Sequence, residues 1–251
     1  MRPKRSYTIW FSQRTGSTLL CDALEDTGVA GKPAELFTVE TGTDLFAHFG
    51  VSTPEALQQK IWELGSTPNG VFGHKQGFWE PHMTYLIDTF RTFPGGASRL
   101  RAEVWENAFP NGKHIFMTRR NKVRLAVSWW KAIQSEEWHR RRGGAPSSKD
   151  ISNAYHFDAI NHLLEESVLR EAGMQAFFTE ANTAPMTIVY EDFIVRYEET
   201  LKRILNYLEV ELPKGYAFAA PKLESLADDL SERWVQQFRD EKQKGWTNLG
   251  W

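Results

Sequence analysis

Residues 7–24, YTIWFSQRTGSTLLCDAL, combine the signals of a strand, a short loop and a helix in direct succession. The first five residues, 7–11, are β-branched or aromatic and are long enough for a strand. Leucine and alanine then recur at helical spacing from Leu19 onward. The residues between them, 12–18, therefore predict a loop that leads from a strand into a helix.

This loop has the chemistry of an anion-binding site. Gly16 lets the backbone turn tightly, and Ser17 and Thr18 add hydroxyl groups beside the unpaired N–H groups at the start of the helix. Arg14 adds a fixed positive charge with forked donors. A helix that is simply capped by serine or threonine is the alternative, but capping requires neither the arginine nor the glycine. The pattern GxxxxGK[ST] of P-loop kinases is absent, so the loop predicts phosphate or sulfate binding of another kind.

The composition is that of a globular protein with one substantial core. The 251 residues are 41% hydrophobic and 25% charged, which predicts one domain over residues 1–251. A net charge of −2 gives no reason to expect nucleic acid as a partner. Cys21, the single cysteine, lies inside the first predicted helix and is expected to be a packing residue. We find no signal peptide or segment of transmembrane length, so we expect a cytoplasmic protein that touches membranes at most peripherally.

Three further runs predict strands, at residues 70–75, 114–118 and 186–190. Segments with helical periodicity separate them, including residues 53–64, 85–93, 123–130 and 151–180, and another follows at 200–208. This alternation predicts an α/β fold with a central, mainly parallel sheet flanked by helices.

Several polar residues follow these predicted strands and helices. Glu35 lies in a loop after the first helix, and Lys75 ends the second strand, where open α/β sheets bind ligands. A solvated carboxylate and an exposed strand-end lysine are the simpler interpretations of each alone. Arg119 and Arg120 follow the third strand at the start of a helix, where their charges oppose the helix dipole unless an anion binds. Ser128 lies about two helical turns further on, where it could contact the same anion, although an ordinary helix serine is its simpler interpretation.

Residues 138–150 differ in composition from the helical segments on either side, because they are basic and contain glycine and proline. This composition predicts an exposed, mobile loop. A lid over a binding site is the functional alternative.

Two separated motifs resemble the sulfotransferases that use 3′-phosphoadenosine 5′-phosphosulfate, in particular the bacterial trehalose 2-sulfotransferase (Stf-type) family. The first is SQRTGSTLL at residues 12–20, followed at the family's spacing by TGVAG at 27–31 and GKPAELF at 31–37. The second runs from TRR at 118–120 to AVSWWKA at 126–132. The resemblance implies a P-loop-like three-layer sandwich.

The resemblance also implies roles for individual residues. Glu35 would be the catalytic base, and Arg14 would stabilise charge on the transferring group. The 3′-phosphate would be held by Ser128 and an arginine. The spacing to Ser128 selects Arg120, whereas alignment through Thr118 and Lys122 selects Arg119, so both remain candidates. The expected donor-binding residues are therefore Gln13, Arg14, Thr15, Gly16, Ser17, Thr18, Arg119, Arg120 and Ser128.

The family's acceptors are carbohydrates and glycolipids, so the resemblance implies transfer of a sulfuryl group to a hydroxyl of such a molecule. Lys75, Trp79 and Trp129 are candidates for contact with the acceptor. The resemblance further implies a homodimer and no need for a metal ion. Two other functions remain open from the residues: an ATP-dependent phosphotransferase of related fold, and a non-catalytic nucleotide-binding module.

Overall fold

The computed structural model of the protein describes residues 2–39 and 43–247, which form two compact units. The first comprises the described parts of Met1–Thr118 and Arg170–Ala220, and the second those of Arg119–Leu169 and Pro221–Trp251. Each unit contains a buried hydrophobic cluster of its own. The single domain expected over residues 1–251 stays a prediction.

A parallel four-stranded sheet forms the centre of the first unit. Its strands are β1 (Arg5–Phe11), β2 (Val71–Gly77), β3 (Gly112–Thr118) and β4 (Met186–Val189), in the order β2-β1-β3-β4. All three strand pairs are parallel. Six consecutive residues of β1 are buried, which shows that both faces of the sheet are covered, as in other α/β proteins. The predicted α/β fold class is confirmed.

Most predicted helices are present, with shifted ends. The fourth helix begins at Glu80 rather than at residue 85, and the long seventh helix begins at Phe157 rather than at residue 151. His156 explains the second shift, because its Nδ1 accepts from the Ala159 N–H at 3.2 Å and so caps this helix. The helices within the described residues are α1 (Ser17–Glu25), α2 (Leu45–Phe49), α3 (Pro54–Gly65), α4 (Glu80–Arg91), α5 (Arg101–Ala108), α6 (Lys122–Ser135), α7 (Phe157–Glu180), α8 (Tyr190–Val195), α9 (Tyr197–Tyr207) and α10 (Asp229–Lys242).

The core of the first unit is aromatic and encloses two histidines. The Trp10 indole donates to His114 Nδ1 at 2.9 Å, and His74 Nε2 lies 2.7 Å from the Thr8 hydroxyl. Burial lowers the pKa of His74 to about 3 and that of His114 to about 4, so both imidazoles are neutral near pH 7. The rings around them belong to Trp10, Phe37, Phe72, Trp105, Phe109, Phe177 and Phe178.

In the second unit, α6 packs against α10 and polar contacts reinforce their apolar faces. Trp129, Trp234 and Phe238 share one buried cluster. Lys131 Nζ bonds the Leu226 carbonyl oxygen at 3.0 Å and Asp228 Oδ2 at 2.6 Å.

The basic segment 138–150 is exposed along most of its length, as expected, but it is tied to the second unit by specific bonds. The backbone N–H of Arg142 donates to the Lys222 carbonyl at 2.9 Å, and the Glu224 N–H donates to the Arg140 carbonyl at 2.9 Å. The Ser147 hydroxyl donates to the Ser135 carbonyl at 2.8 Å. These bonds hold the two ends of the segment, and its mobility stays a prediction.

None of the helices within the described residues combines the length and the apolar character needed to cross a membrane. The same residues contain no group of three or more histidine, cysteine or acidic side chains placed to hold a metal ion.

Candidate active site

The predicted anion-binding loop lies between β1 and α1. Gly16 occupies the N-cap position of α1 with φ of 81° and has no side chain with which to cap the helix. The loop is therefore not the serine- or threonine-capped junction that was its simpler interpretation. Thr15 is fully buried, and its hydroxyl donates to the Ser12 carbonyl at 2.8 Å, which closes the loop on itself. Arg14 has φ of 65°, a conformation that is uncommon for a residue other than glycine.

Tyr190 covers the glycine of this loop. A Cβ atom at Gly16 would lie 2.7 Å from Cδ2 of the Tyr190 ring, closer than real Cβ contacts allow. The sequence placed Tyr190 at the end of the fourth strand, whereas β4 ends at Val189 and Tyr190 begins α8. This boundary turns the ring onto the loop, and only a residue without a side chain fits beneath it.

Lys75 joins the candidate base to the loop. Its Nζ lies 2.7 Å from Glu35 Oε1 and donates to the Thr18 hydroxyl oxygen at 3.0 Å. The ammonium group also lies 5.0 Å from the centre of the Phe11 ring. The Lys75 side chain is only 9% exposed, whereas that of Glu35 is 41% exposed. A buried cation thus holds a carboxylate that still reaches solvent, next to the first turn of α1.

The segment that carries Glu35 is fixed at both of its ends. The Lys75 N–H donates to the Ala34 carbonyl at 3.0 Å, so the backbone beside Glu35 is attached to β2. On the other side, His82 Nε2 of α4 lies 3.1 Å from the Phe37 carbonyl. Burial lowers the pKa of His82, so its ring is neutral near pH 7 and Nε2 carries the proton of this bond. The Glu35 backbone is therefore held between a strand and a helix.

Two consecutive residues of α7 also contact the loop. Arg170 donates to Gln13 Oε1 at 3.2 Å, and the Glu171 carboxylate accepts from the Ser12 hydroxyl at 3.4 Å. Glu171 accepts in addition from the Thr118 hydroxyl, which lies 3.1 Å from both carboxylate oxygens. Sequence reasoning missed Arg170 and Glu171, because they lie in a long helix and belong to no recognisable motif.

The second motif lies in the second unit, at the start of and within α6. Asn121 caps this helix, since its side chain accepts from the Arg124 N–H at 3.0 Å. Arg119 is half-buried and Arg120 is exposed, while Ser128 is half-buried in the second turn of α6. Their expected contacts with a 3′-phosphate stay predictions, as does the choice between the two arginines.

The chain matches a known protein family over most of its length. The family model of the Stf0 sulphotransferases matches residues 6–241. The chain belongs to the Stf0 sulphotransferase family. It is 30% identical to the trehalose 2-sulfotransferase of Mycolicibacterium smegmatis over 95% of this chain and 96% of that protein. It is 28% identical to the trehalose 2-sulfotransferase of Mycobacterium tuberculosis, covering 96% of each chain. Among solved structures, it is similar to a sulfotransferase from Alicyclobacillus acidocaldarius, with a TM-score of 0.49 and 14% identity over 96% of this chain and 93% of that one.

The predicted resemblance to this family is therefore confirmed. The expected site residues of this Stf0 sulphotransferase differ in their surroundings. The structure brings Thr18, Glu35 and Lys75 together in the first unit. Trp79 is 57% exposed two residues after β2, so its ring is free for contact with another molecule. Trp129 is 7% exposed in the core of the second unit, which favours a packing role. The expected acceptor contacts of Lys75, Trp79 and Trp129 stay predictions.

Cys21 does not supply a nucleophilic thiol to this site. It is 4% exposed, and burial raises the pKa of its thiol to about 12. The thiol is therefore protonated at neutral pH and unreactive. Its environment is that of the packing residue the sequence predicts.

Proposed function

We propose that this Stf0 sulphotransferase moves a sulfuryl group from 3′-phosphoadenosine 5′-phosphosulfate to a hydroxyl of a carbohydrate acceptor. One observation carries the proposal: Lys75 holds the Glu35 carboxylate 2.7 Å from its ammonium group while it donates to Thr18 of the loop helix at 3.0 Å. The Lys75 side chain thus links the candidate base, Glu35, to the candidate anion-binding loop. The two curated relatives are trehalose 2-sulfotransferases, which supports a sugar as the acceptor.

The loop residues fit the anionic end of such a donor. The first N–H groups of α1 and the guanidinium of Arg14 are donors of the kind that bind phosphate and sulfate. Ser17 and Thr18 add hydroxyls in the first turn of the helix. In the proposed reaction these groups bind the 5′-phosphosulfate and stabilise the charge that develops on its oxygens.

Glu35 acts in this proposal as the general base. The acceptor oxygen forms a bond to sulfur while the bond between sulfur and the 5′-phosphate oxygen breaks, and the electron pair leaves with 3′-phosphoadenosine 5′-phosphate. Glu35 takes the proton that the acceptor hydroxyl loses.

The second motif supplies the other donor contacts in the proposal. By the family resemblance, Ser128 and either Arg119 or Arg120 bind the 3′-phosphate. This assignment rests on the motif in the sequence. Replacing each arginine singly with alanine tests this assignment. Only the loss of the arginine that binds the 3′-phosphate should raise the donor KM strongly.

The acceptor and the assembly are further parts of the proposal. Trp79 offers an exposed aromatic face suited to stacking on a sugar ring. A glycolipid would present the same sugar chemistry as a free carbohydrate, and a panel containing both kinds of acceptor distinguishes them. The homodimer can be tested by light scattering of the purified protein, and the cytoplasmic location by fractionation of cells that produce it.

The decisive experiment supplies the purified protein with sulfur-labelled donor and a panel of sugars and glycolipids that includes trehalose. We expect label in a sugar ester, and thermal stabilisation by 3′-phosphoadenosine 5′-phosphate but not by ATP with Mg²⁺. Glu35→Gln should lower transfer by about 10²- to 10⁴-fold, the usual contribution of a general base, while leaving nucleotide binding intact.

Glu63→Gln is the matched control, because Glu63 is exposed on α3 and accepts a hydrogen bond from the Gln59 side chain. Stabilisation by ATP alone would favour the phosphotransferase. Nucleotide binding without transfer to any acceptor of the panel would favour the non-catalytic module. Equal activity of wild type and Glu35→Gln would remove Glu35 from the mechanism.

A further inference from the structure

Glu171 of α7, which lies outside both family motifs, contacts the ends of two strands. Ser12 directly follows β1, and Thr118 is the last residue of β3, the neighbouring strand. Both hydroxyls lie within hydrogen-bonding distance of one carboxylate, that of Glu171, at 3.4 Å from Ser12 and 3.1 Å from Thr118. One side chain therefore ties together the ends of two adjacent strands at the edge where the loop begins.

The neighbouring side chain extends this contact into the loop. Arg170 donates to Gln13 Oε1 at 3.2 Å, so consecutive helix residues hold consecutive loop residues. The Arg170 guanidinium is charged, and hydrogen bonds to charged groups are stronger than those between neutral groups. The beginning of the loop is thus held from outside by α7.

This part of α7 is itself firmly anchored. Met174 and Phe177 are fully buried in the aromatic core of the first unit. A Cβ at Gly173 would lie 2.4 Å from the Phe78 ring, so the helix backbone packs directly on that ring. Side chains carried on such an element keep their position better than side chains on a loop.

The charge of Glu171 makes its position informative. A carboxylate close to a loop that binds a polyanion repels that ligand and lowers its affinity. A neutral acceptor such as glutamine would avoid this repulsion. Its two oxygens accept hydrogen bonds from Ser12 and Thr118 at once, and fixing these hydroxyls orders the start of the loop.

We propose that Glu171 is a positioning residue of this enzyme: it acts through Ser12 and Thr118 to hold the donor loop in its binding geometry. This inference rests on the proposed function of the loop. It predicts a defect in donor use rather than in acceptor use. It also predicts that the acceptor oxygens of residue 171 matter more than its negative charge.

Kinetics of two variants test the inference. Glu171→Ala removes both hydrogen bonds and should raise the donor KM about tenfold to one hundredfold, with little change in the acceptor KM. Glu171→Gln retains one carbonyl oxygen as acceptor and should lie within about threefold of wild type, because half of the acceptor capacity remains and the repulsion is gone. Glu165→Gln is the control, since Glu165 is exposed on the same helix and bonds Asn161.

Hydrogen–deuterium exchange of the loop gives a readout that needs no activity. The amides of residues 12–18 should exchange faster in Glu171→Ala than in wild type, and at nearly the wild-type rate in Glu171→Gln. Adding Ser12→Ala to Glu171→Ala should change this exchange little, because the two substitutions remove the same bond.

The outcomes separate this inference from the proposed function. A wild-type protein without sulfuryl transfer or nucleotide binding would refute the proposed function, while loop exchange would still report on Glu171. A donor KM and loop exchange unchanged in Glu171→Ala would overturn the inference. Equal defects in the alanine and glutamine variants would also overturn it, because the charge rather than the hydrogen bonds would then be required.

Discussion

Replacing Lys75 with methionine is expected to lower the rate of sulfuryl transfer about five- to thirtyfold while the fold is retained. Methionine has nearly the length of lysine and is apolar, so it fills the same space without the ammonium group. Glu35 then loses its ionic partner but keeps the Thr38 hydroxyl at 3.3 Å from Oε2, and because its side chain is 41% exposed, water can solvate the carboxylate. The fold survives because no buried charge is left unpaired.

The magnitude follows from the geometry of the pair. At 2.7 Å, the distance from Lys75 Nζ to Glu35 Oε1, unit charges attract by about 1.5 kcal/mol with the full screening of water and about 6 kcal/mol at an effective dielectric constant near 20. The exposure of Glu35 places the pair near the screened limit, and ordering the two side chains offsets part of the attraction. The bond to Thr18 contributes about 1 kcal/mol. A net loss of about 1–2 kcal/mol in the transition state corresponds to the stated range of rates.

The assay is a double-mutant cycle on transfer from labelled donor. Rates of wild type, Lys75→Met, Glu35→Gln and the double variant give the coupling energy between the two residues. If Lys75 acts through Glu35, its replacement should have little further effect once Glu35 is glutamine. Lys32→Met is the matched control, because Lys32 is an exposed lysine in the same segment as Glu35.

Two results would refute this reasoning. A wild-type rate in Lys75→Met would show that the ion pair does not orient the base. Strictly additive effects of the two replacements would show that Lys75 acts independently of Glu35, for example by direct contact with the acceptor. A melting temperature measured for each variant separates both results from loss of the folded protein.

Three further predictions concern the loop, the acceptor and the core. Gly16→Ala should weaken binding of 3′-phosphoadenosine 5′-phosphate about tenfold or more, because φ of 81° costs a residue with Cβ about 1–2 kcal/mol and the Tyr190 ring lies 2.7 Å from the added atom; unchanged affinity by calorimetry would contradict this. Trp79→Ala should lower kcat/KM for the acceptor several-fold without changing the donor KM, because the sugar ring would lose an apolar face and burial of apolar area contributes about 25 cal/mol per Å²; a change confined to the donor KM would argue against sugar stacking. The free energy of unfolding, measured in urea, should fall as the pH drops from about 6.5 towards 4. The unfolded chain protonates His74 and His114 near pH 6.5, whereas burial lowers their pKa values in the folded protein to about 3 and about 4. The slope should approach about 1.4 kcal/mol per pH unit for each imidazole, and His114→Gln should remove about half of it.

The sheet could be predicted from the sequence because runs of apolar, aromatic or β-branched residues mark its strands, most clearly in β1 and β3. Burial on both faces removes the need for alternating polar residues, so β1 is visible as five apolar or β-branched residues without any knowledge of its neighbours. The end of β4 was less predictable. Tyr190 continues the β-branched run in composition, but it begins α8 and packs on Gly16, a residue distant in the sequence. Local propensity contains no information about that contact.

The site was predictable only where a motif carries it. Gly16 and Arg14 stand out because a loop between a strand and a helix needs neither unless it binds something. Arg170 and Glu171 have no such signal, because charged residues are ordinary on a helix surface and their contacts lie between 53 and 159 positions away in the chain. The two candidate tryptophans show the same limit of sequence-based prediction. Trp79 follows a strand and is 57% exposed, whereas Trp129 lies in the second motif and is only 7% exposed, and the sequence does not distinguish them.

The contacts of Lys75 explain how a loop without the lysine of a P-loop kinase can still have an ammonium group beside it. The cation comes from β2, and its bond to Thr18 places it at the first turn of α1. Because the same ammonium holds Glu35, the orientation of this proposed base depends on the position of the loop helix. Glu171 and Arg170 in turn hold the beginning of that loop. A displacement of the loop should therefore reduce both donor binding and proton removal, so substitutions in the loop should lower kcat as well as donor affinity.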